Sequence, residues 1–299
     1  MIRLHISDVA SLGPGRCALL LHPWDDEDTD TVYDSLVLRW SHQQGVFVDV
    51  LNFVGVSIIE FHDEIVVLGR LGAIGVLNDP AATASIAGPE DVGFLSDMRA
   101  IDNSIYAVGM WRQAYVSTDG RQWRRFDEGV RDEVRARWCA TGFRAIDGRS
   151  TGQIFAVGRA GEIWRADSQG WSPEESPTNV ILEQVRVGED GVAYAAGQSG
   201  VLLRGSGDRW SVIEQTVTDE DIWGLELFRG HVYFSSPSSV YKMNPHGGIA
   251  SVFITDGSVE WSRMRAGRGA LWALGQERAF WTDDGERWHE AVFRRQTEL

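Results

Sequence analysis

Cysteine is nearly missing. Cys17 and Cys139 stand alone in 299 residues, neither in a CxxC pair nor in a disulfide-dense pattern, which excludes a disulfide-stapled scaffold and points to a reducing compartment. Long apolar runs are absent too: the richest window, Val46–Phe61, is broken by Asp49, Asn52 and Glu60, far short of the roughly 18 apolar residues a membrane helix needs. The amino terminus MIRLHISDVA has no apolar core behind its charge, so no signal peptide is expected and the chain reads as soluble and cytoplasmic. Positive charge is scarce, with Lys+Arg 28 against Asp+Glu 43 and a net charge of −15. That balance opposes nucleic-acid and anionic-membrane binding and favours basic partners. No 3.6-residue apolar stripe extends beyond two turns, which excludes a helical solenoid.

Signals of chemistry are equally thin. His5, His22, His42, His62, His231, His246 and His289 are scattered without metal-ligand spacing. Gly197-Gln198-Ser199-Gly200 breaks the G-x-S-x-G frame of a nucleophile elbow, and Gly69, Gly72 and Gly75 do not make a dinucleotide fingerprint. No catalytic, cofactor-binding or metal-ligating residue is therefore expected, and no cofactor. Asp26, Asp28 and Asp30 alternate as a calcium loop begins, but Thr31 replaces its turn glycine and Val37 its bidentate glutamate. A solvated loop and a partner-binding loop are the other readings of that run.

What is present is repetition. Ile105–Trp123, IYAVGMWRQAYVSTDGRQW, reads as a strand closed by Gly109, a second strand and an Asp119-Gly120 turn into a third run opened by Trp123. The layout returns as Ile154–Trp171, Ala193–Trp210 and Leu271–Trp288. Gly69, Gly109, Gly158, Gly197 and Gly275 mark the period, with Ser236 standing in for the missing member. A repeated glycine implies either a positive φ or close packing at that point. A period of about 40 residues with four strand-like runs per unit is the mark of a propeller blade. The spacing predicts an all-β, seven-bladed β-propeller of four-stranded antiparallel blades, one domain over 1–299, with blades at 1–52, 53–93, 94–140, 141–180, 181–220, 221–258 and 259–299. In blade 1 the candidate strands are Ile2–Val9, Cys17–His22, Ser35–Trp40 and Val46–Leu51. The segment Val130–Ala140 reads as an insertion forming a short surface helix. Each unit ends in its own outer strand, so closure does not require a strand exchanged between the termini; pairing of Ile2–Ile6 with the last blade is the alternative.

Antiparallel order also predicts two faces. If strands a to d run outward from the axis, the d-to-a and b-to-c loops share one face, and the Asp-Gly turns lie on the other. The first face collects the longer, charge-rich loops, where binding usually resides: Trp24, Asp25, Asp26, Glu27, Asp28 and Asp30, then Trp111 and Arg112, Pro89-Glu90-Asp91, Glu174 and Glu175, and Glu220 and Asp221. This rim is expected to be acidic and partner-binding.

Ser117–Trp123 (STDGRQW) and Thr282–Trp288 (TDDGERW) resemble Asp-box turns of the bacterial-neuraminidase repeat, each one residue shorter than S-x-D-x-G-x-x-W. The AVG…G…S-DG…W layout is also similar to propellers of the photosystem II assembly-factor kind, and the resemblance covers about Ile65 to Phe293. A sialidase-like member would imply an arginine cluster, a Tyr–Glu pair and an acidic Asp at the channel mouth. Arg99, Arg144, Arg186 and Arg265 do recur in the innermost strands. They form an anion-binding ring, or they pair with carboxylates such as Asp97, Asp102 or Asp147. Phe-Arg-Ile-Pro is absent and no Tyr–Glu pair can be placed by motif.

The expected function is a non-enzymatic protein-binding scaffold, a monomer whose acidic face takes a basic protein, in its sharpest form a bacterial immunity-type protein neutralising a basic toxin. The alternatives are a carbohydrate-acting or glycan-binding propeller that uses the central channel, sialidase-like or a lectin, and an assembly factor.

Overall fold

A computed structural model describes residues 2–25, 31–86, 93–131, 141–206 and 209–292. The chain forms seven four-stranded antiparallel sheets, each from consecutive strands, arranged as a closed propeller. Apart from single turns at Arg159–Gly161 and Gln198–Gly200, the described residues contain no helix. The innermost strands are Ile2–Ser11, Gly55–Phe61, Leu95–Ile101, Phe143–Ser150, Leu182–Val187, Gly224–Phe228 and Trp261–Gly267. Second strands such as Ser104–Gly109 and Gln153–Gly158 are almost wholly buried, whereas the outer strand Gly45–Val50 is largely exposed. Both faces of an inner sheet must be covered, so these strands read as apolar runs and the outer ones do not.

The core is divided into seven apolar clusters, one in each gap between neighbouring blades. Trp123, Trp171, Trp210 and Trp288 each pack into the gap towards the preceding blade. They occupy equivalent positions: Trp123 pairs with Ser117, Trp171 with Ala166 and Trp210 with Gly205, and Trp288 directly precedes His289, the partner of Trp281. The two Asp-Gly turns share one hydrogen-bond pattern. Gly120 N donates to Ser117 Oγ (2.9 Å), and Arg121 N and Gln122 N donate to Asp119 Oδ1 (2.8 and 2.7 Å). Gly285 N likewise donates to Thr282 Oγ1 (2.8 Å), and Glu286 N and Arg287 N to Asp284 Oδ1 (2.7 and 2.8 Å). These backbone donors hold the Asp284 carboxyl down at about 2.

The recurring glycine serves close packing, not a left-handed turn. Gly158 has φ −175°, ordinary extended backbone, but a Cβ there would run into the Gly142 carbonyl and lie 3.0 Å from Phe143 Cα. Gly109 meets Leu95 Cα at 2.7 Å and Gly197 meets Leu182 Cα at 2.8 Å in the same way. At each, the end of the second strand lies against the backbone that enters the innermost one. In blade 6 the position is taken by Ser236, whose side chain is buried with its Oγ donating to Glu220 Oε2 (2.6 Å).

Closure joins the blade begun by Ile2–Ser11 to the blade begun by Trp261–Gly267 without strand exchange. Ile6 N donates to Gln276 O (2.7 Å), Ser11 Oγ donates to Gly267 O (2.7 Å), and Trp40 meets Trp272 edge-on at 6.2 Å. The helix expected over Val130–Ala140 falls mostly on 132–140, outside the described residues, as do Cys139 and Pro89-Glu90-Asp91.

Candidate functional site

The b-to-c and d-to-a loops emerge together on one face, and the Asp-Gly turns emerge on the other. Of the predicted rim residues, Asp26, Glu27, Asp28 and Asp30 lie outside the described residues. Trp24, next to the end of the second strand Arg16–Asp25, is 52% exposed, and Asp25 beside it is half-buried. Glu174 closes the outer strand Gly170–Glu174 half-buried, and Glu175 follows it exposed.

Glu220 and Asp221 are engaged within the protein. Glu220 Oε2 accepts from Ser236 Oγ (2.6 Å), Ser238 Oγ (2.6 Å) and Ser238 N (3.2 Å), donors that lower its carboxyl pKa. Asp221 Oδ1 accepts from Ser199 N (2.9 Å). Each ties its own loop to a neighbouring b-to-c loop.

Trp111 and Arg112 form the tip of the blade 3 b-to-c turn, both left-handed, with φ of 61° and 57°. The matching turns of blades 4 and 5 use Ala160-Gly161 and Ser199-Gly200 at similar φ. Holding a bulky residue there costs about 1–2 kcal/mol. Trp111 is half-buried, its indole close to Gly93. Arg112 reaches the next blade, where its Nε donates to Glu162 Oε2 (2.7 Å) and its guanidinium lies 4.9 Å from the Trp164 ring centroid.

At the axis the four recurring arginines are paired. Arg265 donates to Asp8 (2.8 and 2.9 Å) and to Asp97 (2.8 Å), and Arg263 approaches the same carboxylates at 3.3 and 3.8 Å. Arg186 and Arg99 share Glu226 at 2.8 and 3.0 Å, with Asp147 3.6 Å from Arg99. Arg144 Nε donates to Glu183 (2.8 Å). Apart from Lys242 the basic residues of the chain are all arginine, whose planar fork suits such shared, buried pairing.

Asp8, Asp97, Arg186, Glu226 and Arg265 are buried, and their titration follows from that. Burial works to raise the Asp8 carboxyl, but the charges of Arg265 and Arg263 outweigh it and hold the group far below the usual range. For Asp147 burial prevails over Arg99 and Arg186, and its carboxyl is pushed up. Burial and the neighbouring Arg99 bring the Arg186 guanidinium down to about 10.

Sequence reasoning overlooked several residues of this face. The mouth of the axis is a cavity of about 490 Å³ lined by Arg70, Arg144, Arg159, Arg263, His22 and Phe94, among others. Arg70 and Arg159 directly follow Gly69 and Gly158, so their place in the repeat carried the signal. Trp223 and Phe253, in d-to-a loops, are 37% and 75% exposed. Among the described residues no group of three or more His, Cys, Asp and Glu side chains could hold a metal ion, and no helix is long and apolar enough to cross a membrane.

Comparison with known proteins adds three findings. No family model matches the chain. In sequence it is 40% identical over 205 residues to "Immune protein Tsi7" of Pseudomonas aeruginosa, a match covering 67% of this chain and 66% of that protein. The chain therefore spans just under two thirds of that relative's length. In structure it is similar to YCF48 from Cyanidioschyzon merolae, with a TM-score of 0.69 at 13% identity over 93% of this chain and 94% of the other. It is also similar to virginiamycin B lyase from Staphylococcus aureus, with a TM-score of 0.67 at 12% identity over 83% and 86% of the two chains. At such identities these structures establish the propeller fold alone.

Proposed function

We propose that this chain is an immunity-type protein, which holds a toxin on its loop face and acts by binding. The observation that carries this reading is the 40% identity with an immune protein over 205 residues. The architecture supports it. Seven blades braced at the axis by buried ion pairs make a rigid platform, and the loops on one face vary freely in length and chemistry. Exposed Trp24 and strained Trp111 are residues of the kind that anchor interfaces. The net charge of −15 favours a basic toxin, attracted over long range and faster at low salt. Trp24, Asp25, Asp26, Glu27, Asp28, Asp30, Trp111, Arg112, Glu174 and Glu175 are the proposed contacts, with Glu220 and Asp221 shaping their loop.

The test is protection. Bacteria expressing a toxin encoded beside this chain's gene should survive when the chain is co-expressed, and the two proteins should co-elute as one complex. Changing Asp25–Asp30 to Asn/Gln should slow association about tenfold at low salt with the fold intact. Failure of both protection and complex formation would overturn the reading, and a rate unchanged across a salt titration would remove the acidic loop from it.

A further inference from the structure

We infer that the axial mouth on the loop face is a carboxylate-binding site, filled by an acidic side chain of the bound protein partner. This rests on the immunity reading for the partner's identity, but the site itself stands on geometry. Four arginines line the 490 Å³ cavity: Arg70, Arg144, Arg159 and Arg263. Arg144 is matched by Glu183 on the same wall, and Arg263 reaches down to Asp8 and Asp97, which Arg265 holds more closely from below. Arg70 and Arg159 have no carboxylate within ion-pair distance among the described residues. The Arg70 guanidinium lies 3.7 Å from the Phe94 ring centroid. Such stacking fixes its plane and leaves the N–H edges free to donate.

The mouth is thus a positive spot on a chain of net charge −15. Its size accommodates one or two side chains, not a folded element. A planar guanidinium fork matches a carboxylate through two parallel hydrogen bonds.

The net negative charge weakens, without abolishing, the capture of a free anion such as an acidic peptide from solution. A carboxylate carried by a protein already docked on the surrounding loops arrives at a high effective concentration and escapes that penalty. An otherwise basic partner that places one acidic side chain at the axis would meet complementary charge at both the rim and the centre, and that pattern fixes orientation.

The test is calorimetric titration of the full chain with a hexaglutamate peptide and, separately, with inorganic phosphate. The peptide should bind and phosphate should bind more weakly. The double variant Arg70→Ala/Arg159→Ala should weaken peptide binding about tenfold or more, while Arg209→Ala, an exposed arginine on an outer strand, should leave it unchanged. Among the described residues neither mouth arginine is in an ion pair, so the double variant should lose no more melting temperature than the Arg70–Phe94 contact accounts for. Absent peptide binding, or binding equal in the double variant, would overturn the site. Phosphate binding tighter than peptide would overturn a protein-borne carboxylate in favour of a free anion. If the chain fails to protect against the toxin while arginine-dependent peptide binding persists, the immunity reading falls and the mouth stands.

Discussion

At the scale of residues, two positions separate binding from stability. Trp111 has φ 61°, where Asn fits better than a large aromatic residue. Trp111→Asn should leave the melting temperature nearly unchanged and weaken the proposed toxin complex about thirtyfold, the loss expected of an interface anchor. Equal losses of stability and affinity would make the indole mere packing. The buried carboxylates divide in the same manner. Asp8 accepts from Arg265 through both oxygens, so Asp8→Ala leaves a buried guanidinium short of its counter-charge and should cost about 3–5 kcal/mol. Burial already pushes the Asp147 carboxyl up, and Val187 N, which donates to Asp147 Oδ2 (2.9 Å), can still donate to an Asn oxygen there. Asp147→Asn should therefore cost under about 1 kcal/mol, and urea denaturation of the pair would measure the contrast.

At the scale of elements, the repeated glycine is a joint between strands. Gly158→Ala puts a methyl group against the Gly142 carbonyl and 3.0 Å from Phe143 Cα, atoms of two backbones that cannot move independently. A loss of about 1–3 kcal/mol is expected. Gly152, in the turn at the other end of the same strand Gln153–Gly158, has only Ser150 Oγ within 4 Å of an added methyl, so Gly152→Ala should stay within about 0.5 kcal/mol of wild type. Equal melting temperatures for the two variants would remove close approach as the reason for the repeat.

At the scale of the whole molecule, the ring is as stable as its weakest gap, and the first blade holds an acid-sensitive pair. His5 and His22 face each other across its two inner strands. Burial lowers both pKa values, against Glu260 and Glu277 near His5, and with Arg70 also acting on His22. His22 Nε2 bonds Gly55 O (2.9 Å) in the next blade and Ser7 Oγ (3.3 Å) in its own. A folded pKa below the unfolded value means full stability above about pH 6.5, lost as pH falls through the folded value. The melting temperature should thus be flat from pH 7 to 8 and decline below 6. His22→Gln, which keeps a donor for Gly55, should flatten that decline, and an unchanged profile would place the acid sensitivity elsewhere.

Blade number, the outer-strand tryptophans and the sorting of loops to two faces were legible in the sequence, because a blade is built from neighbours in the chain and its turns repeat at a fixed period. Ser236 was found as a repeat member by counting alone. The axial partners were not legible. Arg99 meets Glu226 across 127 positions and Arg265 meets Asp8 across 257, since closing the ring brings together residues whose separation in sequence carries no periodic signal. The structure alone also decided that the glycines avoid a neighbouring backbone, that Glu220 and Asp221 tie loops together, and that Arg70 and Arg159 converge on one mouth. Local hydrogen bonding sets the pattern along the chain, whereas electrostatic neighbours are set by which strands the closed ring turns towards its axis.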